Sequence, residues 1–280
     1  MTTTLRPTGP IRQDPAGSRA CDYDVCVNGR RVGGVSLAAD PAPRGRPLGR
    51  VRDLRIDEPD RRRGRGTVAA LAAEEVLRGW DCPEARATVP ADAEPALRMA
   101  AALGWTERGR TMVKQLTGPA AGLPAGTEAR PMDRAAFDRW RAHAVRHYAR
   151  DWISAGVPED EALARSETVH ERLLPEGPAT PGAHLHHLHA DGAEVGHLWV
   201  ADRETEAGER EAYVYDVEVA EAHRGRGHGR TLMLLAERIA HEAGHGTVGL
   251  HVFAGNTPAG TLYESLGYRT THRNFAKRLL

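Results

Sequence analysis

One glycine-rich stretch, Arg224-Gly225-Arg226-Gly227-His228-Gly229, separates a strand-like segment from a helix-like one. Tyr213 to Val219 alternates and is rich in β-branched and aromatic residues, as strands are. After the glycines, apolar residues recur every three or four positions until Gly244, a pattern typical of an amphipathic helix. Such a junction points backbone N–H groups outward at the positive end of a helix dipole, and its glycines admit an anion closely. We therefore expect it to bind phosphate.

Two common phosphate-loop patterns fit this stretch poorly. The pattern G-x-x-x-x-G-K-S/T is absent, and G-x-G-x-x-G requires glycine where Arg230 stands. The stretch instead resembles the pyrophosphate loop, R/Q-x-x-G-x-G/A, of the GNAT superfamily of acyl-CoA-dependent N-acetyltransferases. A second motif of that family, N-x-x-A-x-x-L-Y-E/K-x-L/M-G-F/Y, is similar to a segment further on, where the matching residues are Asn256, Leu262, Tyr263, Glu264, Leu266, Gly267 and Tyr268. Two motifs in the family's order imply a GNAT fold.

The loop pattern occurs twice in the chain. Arg61-Arg62-Arg63-Gly64-Arg65-Gly66 also follows a strand-like segment and precedes a helical one. Gly64 and Gly227 are 163 residues apart (227 − 64 = 163), and the same offset separates Leu103 from Leu266. This internal duplication predicts an α/β protein with two tandem GNAT-like domains. The resemblance implies that each is a mixed, mostly antiparallel sheet with splayed fourth and fifth strands, flanked by helices.

Composition sets the predicted domain boundaries. A degenerate first domain covers residues 1–117, a Gly/Pro/Ala-rich linker covers 118–126, and the catalytic domain covers 127–280. Only the second domain has an insert between its first strand and its hairpin, which reads as helices over Ala135–Ile153 and Pro158–Leu174. In GNAT proteins this helical region forms part of the acceptor site, so the first domain is expected to lack one.

The first domain also lacks two residues that would carry chemistry. The offset places Ala93 opposite Asn256, and Ala100 opposite Tyr263. Its loop from Arg61 to Gly66 keeps the arginine and the glycines. Two interpretations stay open for this loop: it holds a CoA without turning it over, or it is inherited in a domain that supports the second.

The resemblance implies that acetyl-CoA is the cosubstrate. In GNAT folds the strand before the loop offers backbone N–H groups to the acyl group, the loop binds the pyrophosphate, and the asparagine of the second motif contacts the pantetheine arm or nearby backbone. The residues at those positions are Val217, Val219, Arg224, Gly225, Arg226, Gly227, His228, Gly229, Arg230 and Asn256. A simpler interpretation of Asn256 is a cap for the helix that follows, and the two roles are compatible.

Acyl transfer to an amine needs a neutral nucleophile and a protonated leaving thiolate. Tyr263 matches the family's general-acid tyrosine, although a tyrosine packed in the core is the alternative. A lysine-like amine is neutral in only about one molecule in 10³ at pH 7, so a base or a water chain must remove its proton. Glu218 and His251 are the candidate bases, and Asp216 is held in reserve because Asp53 in the first half suggests a structural role for it.

Composition narrows the class of protein. Lys+Arg and Asp+Glu both number 38, and no concentrated basic face is evident, so a nucleic-acid partner is not expected. Without a run of about 18 apolar residues or a signal-peptide pattern at the start, we expect a cytoplasmic protein with no membrane partner. All 14 histidines follow residue 127, with a cluster over His184–His189. Two of these could serve as ligands on one face of a strand, but a solvated face is the simpler interpretation, and no metal is expected.

These observations together predict an N-acetyltransferase. It would move an acetyl group from acetyl-CoA to a primary amine of a small molecule or peptide by direct attack in a ternary complex, as a monomer or homodimer. Two alternatives remain: a non-catalytic acyl-CoA-binding or regulatory module, and a tandem acyltransferase with another acyl donor or a mycothiol-pathway-like acceptor.

Overall fold

The structure is a computed structural model that describes residues 2–41, 46–154, 157–205 and 208–280. The strands are β1 (Thr3–Pro7), β2 (Arg12–Gln13), β3 (Arg19–Val27), β4 (Arg30–Asp40), β5 (Leu48–Ile56), β6 (Glu84–Pro90), β7 (Thr106–Gln115), β8 (Thr127–Pro131), β9 (Ala183–Ala190), β10 (Ala193–Glu204), β11 (Arg210–Val219), β12 (Thr247–Phe253) and β13 (Arg269–Arg278). The helices are α1 (Arg65–Gly79), α2 (Glu94–Ala102), α3 (Arg134–Ser154), α4 (Glu159–Leu173), α5 (His228–Glu242) and α6 (Thr257–Ser265).

The chain forms two compact units that are not consecutive blocks of sequence. The first consists of Met1–Arg110, Phe253–Gly255 and Thr270–Leu280, and the second of Thr111–Val252 and Asn256–Arg269. These units follow spatial contacts, and the boundaries inferred from composition at residues 117 and 127 stay a prediction about the sequence repeats.

The first unit is built on a mixed sheet with the order β1-β3-β4-β5-β6-β13, and β2 pairs with β3. Neighbouring strands are antiparallel except for β5 and β6, which are parallel. Pairing between β5 and β6 joins Leu48–Val51 to Glu84–Ala87, although β5 continues to Ile56 and β6 to Pro90. Within the described residues, the two strands therefore separate after a short ladder, as the predicted splay requires.

The second unit repeats this plan with the order β7-β12-β11-β10-β9-β8, where β7 contributes from Thr111 onwards. The parallel ladder joins Ala212–Val214 of β11 to Val248–Leu250 of β12. Beyond Val214, the described residues of β11 continue to Val219 in register with β10 alone. The prediction of mixed, mostly antiparallel sheets with splayed fourth and fifth strands is confirmed.

Helix α5 shows how the sequence pattern produces burial. Its apolar residues at three- and four-residue spacing lie on one face, and Leu232, Leu235 and Ala236 are at most 1% exposed. They join the strands in the main core of the second unit, while a smaller cluster under α3 contains Phe137 and Trp140. Among the helices that the structure describes, none is long and apolar enough to cross a membrane.

An exchange of strands between the repeats marks both units. Lys277 on β13 binds both carboxylate oxygens of Glu74 on α1, at 2.8 and 2.7 Å. Lys114 on β7 makes the equivalent 2.7 Å contact with Glu237 on α5. The 163-residue offset relates Lys114 to Lys277 and Glu74 to Glu237, so each lysine pairs with the glutamate of the other repeat. Each unit is thus completed by a strand from the other half of the sequence.

Candidate active site

The glycine-rich loop lines a cleft of about 350 Å³ in the second unit. Gly225 and Gly227 have φ angles of +76° and +86°, and Gly227 is the N-terminal cap of α5. These left-handed conformations favour glycine, and the first turn of α5, whose N–H groups have no partner within the helix, lines the cleft. The residues that line it are Val219, His223, Arg224, Gly225, Gly227, His228, Gly229, Arg230, Pro258, Ala259 and Leu262.

Most of the predicted cofactor-binding residues meet in this cleft, and three do not line it: Val217, Arg226 and Asn256. Gly229 has a structural reason for lacking a side chain, because a Cβ there would lie 3.2 Å from Leu262 Cδ2. The cleft can therefore accept an anionic group along the N-terminus of α5, with α6 forming its second wall.

Two arginines fix the loop at its ends. Arg224 Nε donates a hydrogen bond to the Val219 carbonyl at 3.1 Å, which ties the loop to the end of β11. Arg230 Nη2 donates to Ser265 Oγ at 2.6 Å, which ties the first turn of α5 to α6. Both guanidinium groups bring positive charge to the site where the loop presents its N–H groups.

Strand β11 borders the opening between the splayed strands. Val217 and Val219 pair with Leu198 and Gly196 of β10 on one side. On the other side they lie beyond Val214, the last residue of β11 that pairs with β12 in the described chain. The backbone of this segment therefore has one paired edge and one edge toward the opening.

Tyr263 lies in the core of the second unit and is 6% exposed. Burial, with a smaller contribution from the charge of Asp216, raises the pKa of its phenol to about 12. The hydroxyl therefore keeps its proton at neutral pH, as a general acid must before it acts. The ring packs in the core as the simpler interpretation expects, and this packing is compatible with an acid role.

Asn256 is the N-terminal cap of α6, and its Oδ1 accepts a hydrogen bond from the Ala259 N–H at 3.2 Å. The capping role predicted as the simpler alternative is confirmed. A contact of Asn256 with a pantetheine arm stays a prediction.

The Glu218 carboxylate, a candidate base, lies close to two histidines and one arginine. Its Oε2 lies 3.0 Å from Nε2 of His143 on α3 and 4.0 Å from Nε2 of His197 on β10. Its Oε1 lies 3.7 Å from Arg224 of the glycine-rich loop. The Glu218 side chain is 28% exposed, so a substrate can reach the carboxylate. The contacts with α3, β10 and the glycine-rich loop orient it.

Asp216, the reserve candidate, is held by two donors. Trp140 Nε1 donates to its Oδ2 at 2.9 Å, and His197 Nε2 lies 2.9 Å from the same oxygen. Burial opposes ionisation of Asp216, but these hydrogen bonds and the charge of His197 outweigh it, so the pKa of Asp216 lies below its usual value. For His197, burial acts against protonation, while the bond to Asp216 raises its pKa overall. Asp216 joins α3 to the sheet through its hydrogen bond from Trp140, which supports a structural role for Asp216.

This connection between α3 and the sheet is backed by stacked aromatic rings. Trp140 meets Trp199 edge to face at 5.5 Å, and Trp199 stacks on Tyr215 at 4.6 Å. Both tryptophans are buried, so they position α3 and do not offer a surface to a ligand.

His251, the other candidate base, lies on β12 just after the last residue paired with β11, and its side chain is exposed. His143 and His197 are site residues that the sequence pattern does not predict. His143 stands three residues after Trp140, on the same helix face, and this spacing was the signal that could have found it. The approach of His197 to Asp216 depends on the register of β10 with β11, which the sequence alone does not give.

The first unit's loop differs from its counterpart at one buried carboxylate. Gly64 caps α1 with φ +72°, as Gly227 caps α5. Asp60 is 4% exposed, bonded to Arg30 at 2.6 Å and also to Arg65, which is itself 7% exposed. This internal anion pairs with Arg65 at the N-terminus of α1 and so removes one cation from phosphate binding, which favours the inert interpretation of the first loop.

Comparison with known proteins supplies the family. The profile of the Acetyltransferase (GNAT) family matches residues 4–105 and 143–268. The chain is 35% identical over 152 residues to the uncharacterised N-acetyltransferase YycN of Bacillus subtilis, covering 53% of this chain and 96% of that protein. It is 30% identical over 229 residues to a mycothiol acetyltransferase of Clavibacter sepedonicus, covering 78% and 68%.

Two solved structures share the fold across most of the chain. A GCN5-related N-acetyltransferase from Sphaerobacter thermophilus aligns with a TM-score of 0.58 at 19% identity, covering 92% of this chain and 80% of that one. A tandem GNAT protein from the clavulanic acid biosynthesis pathway aligns with a TM-score of 0.50 at 23% identity, covering 95% and 84%. The tandem architecture predicted from the 163-residue repeat is confirmed.

Proposed function

This chain belongs to the acetyltransferase (GNAT) family, and from that premise we propose that its second unit transfers an acetyl group from acetyl-CoA to a primary amine. One observation carries the proposal: the anion-binding turn of α5 and the Glu218–His143 pair border the same end of β11. The first can hold the pyrophosphate of a cosubstrate and the second can take a proton from an amine.

The roles follow from the position of each group. The Glu218 carboxylate, oriented by His143 and Arg224, accepts the proton of the incoming ammonium group directly or through water. The neutral amine attacks the thioester carbonyl in a ternary complex, and backbone N–H groups of β11 stabilise the charge that develops on the carbonyl oxygen. Tyr263, protonated at neutral pH, donates its proton to the departing thiolate. The proton that the attacking nitrogen loses as the amide forms passes through water to the tyrosinate and restores Tyr263.

The test uses Tyr263→Phe in the full chain, with Tyr268→Phe as the matched control. The two rings lie 6.0 Å apart and both are buried, so both changes remove a phenol hydroxyl from the same region. Acetylated product is measured by mass spectrometry over a panel of small-molecule amines, amino acids and peptides. We expect Tyr263→Phe to lower kcat by about 10² to 10⁴ and Tyr268→Phe to lower it by less than about threefold.

Either of two results would contradict this role: full turnover by Tyr263→Phe, or an equal loss in both variants. If no amine is acetylated while calorimetry detects CoA, a non-catalytic CoA-binding module replaces the proposal.

A second candidate concerns the acceptor. Mycothiol acetyltransferases of Clavibacter sepedonicus, Brachybacterium faecium and Nocardia farcinica are 30 to 32% identical to this chain over 77 to 80% of its length. The amine used by those enzymes therefore belongs in the panel. A kcat/KM for it that exceeds every other amine would assign this acceptor.

A further inference from the structure

We propose that His143, His147 and Glu218 form a binding site for one zinc-type divalent cation. One potential ligand atom from each residue lies within 4.8 Å of the other two, and the three residues come from helix α3 and strand β11. The sequence pattern points only to the histidines of β9 as possible ligands, and no metal is expected from it. This cluster arises from the packing of α3 on the sheet and therefore escaped it.

The helix supplies two histidines on one face. His143 and His147 are four residues apart, and their rings stack at 5.9 Å with an angle of 24° between them. His147 is exposed and the side chain of His143 is 47% exposed, so a hydrated ion can reach both rings. This spacing brings two imidazole ligands together without any change in the backbone.

The strand supplies the third ligand. Glu218 Oε2 already lies 3.0 Å from His143 Nε2, while Oε1 faces Arg224 at 3.7 Å. One carboxylate oxygen of Glu218 therefore faces the Arg224 guanidinium group, and the other faces His143. A metal ion on Oε2 replaces the contact between His143 Nε2 and Glu218 Oε2.

The chemistry of the donors selects the metal. Two imidazoles and one carboxylate suit Zn²⁺, which accepts such three-ligand sets and keeps a fourth position for water. Bonds of about 2.0 Å at tetrahedral angles place ligand atoms about 3.3 Å apart. The contact of 3.0 Å between Glu218 and His143 is already close to this separation. All three ligand atoms lie within 4.8 Å of one another, and metal binding requires the exposed His147 to approach by rotation of its side chain.

The site has a consequence for catalysis that rests on the proposed function. A cation bound to Glu218 occupies the carboxylate proposed to deprotonate the amine, so the metal acts as a reversible inhibitor. Cation binding itself does not depend on that function.

The experiment measures binding of Zn²⁺ to the untagged full chain by competition with a chromophoric chelator. Co²⁺ is added in parallel, because its visible absorption reports imidazole ligation and coordination number. Variants are His147→Gln and Glu218→Gln, and the control is His241→Gln, which changes another exposed histidine on the surface of a helix. We expect one equivalent of Zn²⁺, at least about tenfold weaker binding in both ligand variants, and unchanged binding in the control.

The proposal is overturned if His147→Gln binds Zn²⁺ as tightly as the unmodified chain, or if the control weakens binding equally. Product formation measured with and without Zn²⁺ separates the two proposals. Site-specific binding by a chain that acetylates no amine upholds the metal site and contradicts the proposed function. If the chain acetylates an amine, Zn²⁺ does not affect the rate and no site-specific binding is found, the proposed function is upheld and the metal site is contradicted.

Discussion

The close approach of β10 to β11 at Gly196 gives a direct test of how the site is positioned. A Cβ at Gly196 would lie 2.4 Å from the Glu218 carbonyl oxygen and 3.1 Å from Val219 Cα. Restoring an ordinary contact of about 3.4 Å requires the strands to separate by about 1 Å. Gly196→Ala therefore displaces the part of β11 that carries the candidate base and borders the opening.

Two magnitudes follow from this displacement. Overpacking of this kind costs about 1–3 kcal/mol of the free energy of unfolding. A shift of about 1 Å in catalytic groups lowers the rate about 10²-fold. We expect Gly196→Ala to show both effects, so that kcat/KM falls about 100-fold in protein that is still folded.

The duplication provides a matched control in the other unit. Gly33 stands 163 residues before Gly196, and a Cβ there would lie 2.2 Å from the Arg55 carbonyl oxygen. Gly33→Ala creates an equally severe clash next to a loop whose repeat lacks counterparts of Asn256 and Tyr263. We expect a similar loss of stability and a kcat/KM within about threefold of the unmodified chain.

Urea unfolding gives the stability of each variant, and product formation is then measured at a temperature where circular dichroism shows all of them folded. If folded Gly196→Ala retains full kcat/KM, or if Gly33→Ala loses as much activity as Gly196→Ala, the position of β11 does not control the site.

Two further predictions concern stability. Asp60→Asn leaves the buried Arg65 without its anion, so we expect urea unfolding to show a free energy of unfolding that is lower by about 3 kcal/mol. The control Asp57→Asn removes a half-exposed ion pair and should lower it by less than about 1 kcal/mol. Equal losses in the two variants would contradict this prediction. Burial lowers the pKa of His186 from 6.5 to about 4, so the unfolded chain binds a proton that the folded chain does not, and stability falls as the pH drops from about 6.5 to 4. Since the side chain is partly exposed, we expect this loss of unfolding free energy to be about 1–2 kcal/mol. His186→Gln should make the unfolding free energy depend less on pH, and an unchanged slope would refute the prediction.

The sequence predicted the elements that local pattern controls. The loop Arg224–Gly229 predicted a turn between a strand and a helix, and the structure has β11 before it and α5 after it. Phosphate binding at this turn stays a prediction. The cap at Asn256 also follows from local chemistry, because an asparagine side chain can accept a hydrogen bond from the third N–H that follows it. These features need no information from distant parts of the chain.

The features that escaped prediction depend on distant parts of the chain. His143 approaches Glu218 because α3 docks on the sheet, and 75 residues separate the two in sequence. The strand exchange is invisible in sequence for another reason. Lys114 and Lys277 occupy equivalent positions in the two repeats, so a lysine would pair with a glutamate whether or not β7 and β13 were exchanged. Local sequence preferences therefore do not show whether β7 and β13 are exchanged between the two units.

Because β7 and β13 are exchanged, we expect that the gene cannot be divided into two halves that fold separately. A fragment of residues 127–280 lacks Met112 from the core of the second unit, and a fragment of residues 1–117 lacks Phe275 from the core of the first. Each fragment also leaves a buried glutamate, Glu237 or Glu74, without its lysine. Loss of the first repeat during evolution would therefore remove a strand from the unit that carries the candidate active site. Selection for that unit is enough to retain the first repeat, whether or not it binds a ligand.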